Sequence, residues 1–264
     1  MALKDDSNGT RTRESFQPIS VKSPADHPLL FRLRCLIDLQ LGTIVKYLRP
    51  AISQVTGRVL DVGAGQSPWR TWLPARTSYQ GIDVGYANEF GMDGGRSDII
   101  YYDGKLMPFS DGMFDCVLCI EVLEHSEDPQ LLISEIARVV KTTGTVLLTV
   151  PWSARQHHLP HDYHRFTRER LKALFVQNGF GDIEIRERGN DIGAIANKLT
   201  ILTIRLFLTP SLSKALNVFW KYPLGLVCGM LAGCFVIAAH VSVAIGMGSN
   251  EDPLGYFVSA KRLG

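Results

Sequence analysis

From Arg58 onward, short runs of strand-like apolar residues alternate with stretches of helical spacing, the pattern of a parallel sheet wrapped by helices. Strands are expected at 58–62, 78–83, 98–102, 114–120, 144–150, 182–188 and 255–261. Upstream, 27–48 places Leu29, Leu30, Leu33, Leu36, Ile37, Leu41, Ile44, Val45 and Leu48 at helical spacing, with Arg32, Arg34, Asp38 and Lys46 off the stripe. That spacing predicts one amphipathic helix lying over the sheet or the active site. Between the fourth and fifth strands, Asp128 is placed to cap a helix and Pro129 suits its first position. Leu132, Ile133, Ile136, Val139 and Val140 form the apolar stripe of that helix, and Gly144 lies just past its end. A further helix runs from about Thr167 to Asn178 and stops at Gly179. The expected class is α/β, with seven strands and helices on both faces of the sheet.

One segment breaks this rhythm. Tyr222 to Gly248 holds no Lys, Arg, Asp or Glu, and Ile192 to Leu208 is apolar apart from Lys198 and Arg205. The first of these is long enough for a bilayer core of about 30 Å. If 255–261 is a last, antiparallel strand, the chain must return to the side it left, which excludes one complete crossing. A hairpin dipping into a bilayer, a helix pair lying on it, and a hydrophobic lid or dimer face remain. Gly225, Gly229 and Gly233, four apart, would let helices approach closely. The organisation expected is a flexible start at 1–26, a main domain at 27–189, a hydrophobic helical insertion at 190–254, and a final strand at 255–264 that rejoins the sheet.

Composition sharpens the picture in three ways. At 264 residues and 45% hydrophobic content, the chain can bury one large core with room for a subdomain. A formal charge of +2 with scattered Lys and Arg gives no basic face, so nucleic acid is not an expected partner. The polar start, Met1 to about Asp26, lacks the apolar stretch of a secretory signal. The main domain is therefore expected in the cytoplasm, with 192–250 as a candidate contact with the cytoplasmic face of a membrane. Five cysteines do not make a disulfide framework. Cys116 and Cys119 have C-x-x-C spacing, but within a strand residues three apart point to opposite faces.

Chemistry begins at Arg58-Val59-Leu60-Asp61-Val62-Gly63-Ala64-Gly65, where a strand enters a turn with two glycines. Backbone can approach a nucleoside there because glycine has no Cβ. A dinucleotide fold wants a third glycine, and this chain has Pro68. Asp61, two positions before Gly63, would repel a pyrophosphate but suits a ligand carrying an ammonium group. These features favour S-adenosylmethionine over a dinucleotide. Asp83, at the end of the second strand, is placed to accept both ribose hydroxyls, or else to cap the next turn. Asp103, followed by Gly104, is placed to meet the adenine amino group and a ring nitrogen.

Four stretches carry a resemblance: Leu60-Asp61-Val62-Gly63-Ala64-Gly65, Gly81-Ile82-Asp83, the run from Asp103 to Asp115, and Ile120-Glu121-Val122-Leu123-Glu124-His125. In that order and spacing they resemble the motifs of class I S-adenosylmethionine-dependent methyltransferases, in the small-molecule type 11 branch. The resemblance is strong over 58–151 and extends to about 188. It implies a Rossmann-like sheet, with Asp61, Gly63 and Gly65 at the methionine end of the cofactor and Asp83 on the ribose. It also implies Asp103 and Gly104 at the adenine, and Ile120 and Glu121 closing the sulfonium side. Ser67-Pro68-Trp69 departs from the family pattern, where a third small residue and a regular helix are usual. Glu121-Val122-Leu123-Glu124 stands where nucleic-acid methyltransferases carry an Asn/Asp-Pro-Pro-aromatic run, which counts against base methylation.

The acceptor side is expected in the loop Pro151 to Thr167, at the carboxyl edge of the sheet. Its His161-Asp162-Tyr163-His164-Arg165-Phe166-Thr167 resembles an element found in a subset of type 11 relatives tied to surface glycan or lipid pathways. A histidine there can take the proton of a hydroxyl acceptor. His161 is the first candidate and His125 the second. Plainer readings stand beside these: His125 as a cap near Ser126, Asp162 and Arg165 as a structural ion pair, and His157, His161 and His164 as metal ligands, against which Pro160 interrupts any aligning helix. No metal is assigned. The expected activity is methyl transfer to a small or lipid-linked acceptor through a hydroxyl. A cofactor-binding or membrane scaffold protein with the same fold and no turnover is the alternative.

Overall fold

The computed structural model describes residues 21, 23–85, 97–208 and 217–264, so most of the expected flexible start lies outside the described residues. The seven strands are β1 (Gly57–Val62), β2 (Thr77–Val84), β3 (Ile99–Tyr102), β4 (Phe114–Ile120), β5 (Val140–Pro151), β6 (Phe180–Arg188) and β7 (Gly255–Arg262). They form one sheet in the order β3-β2-β1-β4-β5-β7-β6. β1 pairs in parallel with β2 and β4, and β7 runs antiparallel between β5 and β6. The order reverses between β1 and β4, and the carboxyl ends of these strands open the crevice in which open α/β sheets bind ligands.

Both faces are covered, as alternation along the strands requires. Leu60, Val117, Cys119, Val146 and Leu148 join one core with residues of α3 (Pro129–Val139) and α4 (Arg168–Gln177). Val59, Cys116, Leu118 and Leu147 join the other with α2 (Leu39–Ile52). Cys116 and Cys119 therefore face opposite sides of the sheet, both buried and free, and burial raises both thiols above their ordinary pKa.

Two helix boundaries differ from expectation. The single helix expected at 27–48 is two, because Asp38 adopts an extended conformation and its side chain accepts a hydrogen bond from Leu41 N–H, which starts α2 afresh. The preceding α1 (Pro28–Ile37) buries none of its residues, and Leu29, Leu30 and Ile37 stay exposed. The second difference is at Val140, which begins β5 instead of closing the helical stripe. Val140 pairs with Phe114, and Gly144 lies inside the strand. Two successive β-branched residues, Val139 and Val140, favour the extended form at that point.

The insertion is a pair of packed helices, α5 (Asp191–Leu208) and α6 (Tyr222–Ile245), preceded by a π-helical turn at Asn217–Lys221. A Cβ on Gly225 would stand 3.0 Å from the Phe207 ring and one on Gly229 3.3 Å from Thr203, so both glycines lie where α5 comes close. Gly233 faces open space. Leu39, Ala196, Ala239 and Leu254 form a small core joining the pair to α2. Asn190 ties its base together: Nδ2 donates to Ser242 Oγ at 2.9 Å and to the Met247 carbonyl at 2.8 Å, while Oδ1 accepts from Gly193 N–H. The insertion leaves the sheet after Arg188 and returns at Gly255, its register partner. Both ends of the helix pair are thus rooted at the sheet edge that holds the crevice.

Candidate functional site

A cavity of about 460 Å³ opens at this edge, within the usual size range of small-molecule and cofactor sites. Its lining includes Gly63 from the β1 turn, Asp83 from the end of β2, Asp103 and Gly104 after β3, and Glu121 after β4. His125 and His161 line it as well, so seven of the ten residues singled out in the sequence meet in one cavity.

Local backbone explains why. Gly63 sits at φ 67°, a left-handed conformation that L side chains adopt reluctantly, and a Cβ there would overlap the side chain of Val122. The turn then bends back on β2: Gly65 N–H donates to Asp83 Oδ2 at 2.8 Å, while Val84 N–H donates to Oδ1 at 2.8 Å. Burial raises the Asp83 pKa, and these two amide bonds work against that rise. Each Asp83 oxygen accepts one amide and keeps capacity for a ligand hydroxyl.

Three of the ten residues do not line the cavity. Asp61 is buried beneath the turn, where the Tyr79 hydroxyl donates to its Oδ2 at 2.8 Å and also contacts Ser67 Oγ at 2.7 Å. Gly65 supports the site through its bond to Asp83. Ile120 points into the core against α2 because strand alternation turns it away from the crevice. The departure at Ser67-Pro68-Trp69 appears as a short 3₁₀ helix, Pro68–Trp72, where a regular helix would otherwise follow β1.

Next to Glu121 lie Arg188 and Glu124, to which sequence reasoning assigned no role. Glu121, at φ 56°, pairs with Arg188, whose guanidinium is fully buried and lies 2.8 Å from Glu121 Oε1 and 3.0 Å from the Val150 carbonyl. Burial lowers the Arg188 pKa, and the charges of Glu121 and Glu124 oppose that. Glu124 is fully buried in the 3₁₀ turn Leu123–His125. Burial, reinforced by Glu121, pushes its pKa well up. The loop after β5 docks on this turn: Tyr163 N–H and His164 N–H both donate to the Glu124 carbonyl.

The helix that begins near Ser126 is capped by Asp128, whose side chain accepts from Leu131 N–H, and the His125 ring is turned to the loop after β5. His125 holds its Nδ1 2.6 Å from the His161 carbonyl, and so this nitrogen carries the proton. Burial, and then the nearby His157, lower its pKa to about 4. His158 is lowered to about 3 for the same two reasons, in that order. The metal trio considered from sequence is not the one that clusters. His161 turns to Tyr163, its Nδ1 3.0 Å from a hydroxyl that donates to Glu127 Oε1, while His125, His157 and His158 come together. Asp162 and Arg165 form a two-pronged ion pair of 2.6 and 2.8 Å. Burial opposes the Asp162 carboxylate, but hydrogen bonds from His157 and Arg165 hold its pKa below the usual range. This pair anchors the loop.

Comparison with known proteins adds to the geometry. Residues 60–148 match the family model for a methyltransferase domain, type 11. The chain is 29% identical over 130 residues to the uncharacterized methyltransferase YcgJ of Bacillus subtilis (46% of this chain, 48% of the relative). It is 33% identical over 116 residues to a ubiquinone biosynthesis O-methyltransferase of Dechloromonas aromatica (40% and 49%). A third relative is cycloartenol-C-24-methyltransferase 1 of rice, at 32% over 139 residues (48% and 39%). The matches span about half, or less, of these relatives' own lengths. Among solved structures, a S-adenosylmethionine-dependent methyltransferase from Archaeoglobus fulgidus shares the fold at TM-score 0.50 and 18% identity, over 90% of this chain and all of the other. The [4+2]-cyclase SpnF shares it at TM-score 0.51 and 17% identity, over 95% and 99%. The cyclase shows that the fold alone does not name the reaction. With the four motifs meeting at one crevice, residues 60–148 carry a methyltransferase domain of the type 11 family.

Proposed function

We propose that the protein transfers a methyl group from S-adenosylmethionine to a hydroxyl of a small or lipid-linked acceptor. The observation that carries this reading is the convergence of Gly63, Asp83, Asp103, Gly104 and Glu121 on one cavity whose wall also includes His161. In it, Asp83 holds the ribose hydroxyls, Asp103 and Gly104 meet the adenine, and Asp61 and Gly65 shape the methionine end from beneath. Glu121, oriented by Arg188, closes the sulfonium side next to Ile120. When bound, S-adenosylmethionine supplies an electrophilic methyl group.

His161 is the group that takes the acceptor's proton. The Tyr163 hydroxyl donates to Glu127, so it accepts from His161 Nδ1–H, which leaves Nε2 as the basic nitrogen. His125 is not suited to that role, because burial lowers its pKa to about 4. Aligning the acceptor with the methyl group supplies most of the rate, on the order of 7–11 kcal/mol for good orientation.

The lipid-linked reading rests on the insertion. Among the described residues, one helical stretch, Asn217–Ile245, is long and apolar enough to cross a membrane. Phe219 is 81% exposed and Trp220 68%, and Leu226, Met230 and Ile237 also face outward. The exposed leucines of α1 add to this surface, for His240 Nε2 on α6 donates to the Leu36 carbonyl at 2.8 Å. A helix pair rooted at both ends in the sheet suits lying on or dipping into a bilayer.

The test is turnover of methyl-labelled S-adenosylmethionine by the purified chain with aqueous and lipid fractions of cell extract. Label entering an alkali-stable product in the lipid fraction supports the reading, and label only in the aqueous fraction removes the lipid part of it. Cofactor binding without label transfer to any fraction establishes the silent scaffold instead.

A further inference from the structure

We propose that His125, His157, His158 and Glu124 bind a zinc-class divalent cation in the wall of the cavity. Each of the three histidines offers a ring nitrogen within 4.8 Å of the other two. Glu124 Oε1 stands 3.7 Å from His125 Nε2 and 4.0 Å from His157 Nε2. Four-coordinate zinc with bonds of about 2.0–2.1 Å sets its ligands roughly 3.4 Å apart, so the Glu124 contacts need to close by only about half an ångström and the ring nitrogens by up to about 1.4 Å, within reach of side-chain rotation.

Two further observations point to a cation. Glu124 is fully buried, yet neither carboxylate oxygen has a hydrogen-bond partner. A buried carboxyl left without one is costly and calls for a compensating group. The far nitrogens of two of the rings are occupied as in metal sites. His125 Nδ1 donates to the His161 carbonyl, and His157 Nδ1 lies 3.2 Å from the Arg155 carbonyl and 3.4 Å from Asp162 Oδ2. With protons on Nδ1, the Nε2 lone pairs of His125 and His157 turn toward the Glu124 carboxyl at 3.7 and 4.0 Å, too far for a hydrogen bond and spaced to admit a cation between them. Outer partners of this kind orient metal-ligating histidines.

The donor set selects the metal. Imidazoles suit zinc and its first-row neighbours, whereas calcium and magnesium prefer oxygen ligands throughout. Three imidazoles and a carboxylate complete a tetrahedron, so the ion acts as a clip. It ties the turn after β4 to the loop after β5, and through His125 it fixes the His161 backbone on the cavity wall. This inference stands whether or not the methyl acceptor is as proposed, since its test measures metal and not turnover.

The experiment uses the full chain, purified without chelator and with any affinity tag removed. Elemental analysis is expected to give near one zinc per chain, and a chelator is expected to lower the melting temperature. After stripping, cobalt(II) should bind with the intense visible absorption of a tetrahedral site. His157→Asn and Glu124→Gln should each weaken cobalt binding at least tenfold, while His240→Ala, on the far helix, should leave it unchanged. The idea is overturned if the folded chain holds no stoichiometric metal and shows no tetrahedral cobalt band, or if the band persists at full affinity in both ligand variants. Circular dichroism of each variant separates loss of the site from loss of the fold.

Discussion

The crevice rim and the helical insertion rise from the same edge of the sheet but are specified in opposite ways. At the rim, backbone conformation and a few polar atoms decide everything: Gly63 at φ 67°, and two amides on Asp83. In the insertion, composition decides, and α6 leaves Leu226, Met230 and Ile237 exposed on one apolar surface. A rim of this kind is sensitive to a single atom, whereas an apolar surface changes only as many side chains change. The first should fail abruptly under substitution and the second gradually.

Gly63→Val tests the abrupt side. Strain at positive φ costs roughly 1–3 kcal/mol, and overpacking against Val122 adds roughly as much again. About 3 kcal/mol felt at the rim is roughly a hundredfold in Kd. Calorimetric titration with S-adenosylhomocysteine should show that loss, and an affinity within threefold of the parent would remove the turn from the binding site. Asp83→Ala should weaken the same titration about tenfold or more, since hydrogen bonds to a charged acceptor are worth about 1.5–3 kcal/mol.

These two regions also differed in how readily the sequence disclosed them. Strand positions followed from alternation, and the rim followed from glycines and carboxylates at strand ends, because both patterns are local in the chain. What stayed hidden depends on contacts far apart in sequence. The histidine cluster exists because the loop after β5 docks its amides on the Glu124 carbonyl, bringing His157 and His158 to His125. Nothing local marks Glu124 or Arg188 as buried. The break at Asp38 was legible in principle, as an Asp three residues before Leu41 is an N-cap signal, but a continuous apolar stripe masked it.

The gradual side is tested on α6. Met230→Glu with Ile237→Glu places two charges on its outward surface, each unfavourable in a bilayer by up to about 3 kcal/mol at full depth and less at the interface. Co-sedimentation with anionic vesicles should fall severalfold, while S-adenosylhomocysteine affinity stays within twofold. Parent protein that fails to sediment with vesicles would remove the membrane reading altogether.

The smallest effect sharpens the comparison most, because it asks whether the two regions communicate. Asn190 sits between them, two residues past the end of β6 and at the root of α5 and α6. Asn190→Ala leaves the Met247 carbonyl without its donor and Gly193 N–H without its acceptor. Ser242 Oγ keeps its bond to Ala239, so the loss is on the order of 1–3 kcal/mol. That is a fall of a few degrees in melting temperature for a domain of this size. The cofactor affinity should not move, since no member of this network lines the cavity. If affinity falls together with the melting temperature, the insertion supports the rim instead of standing beside it, and vesicle binding should then also alter cofactor affinity.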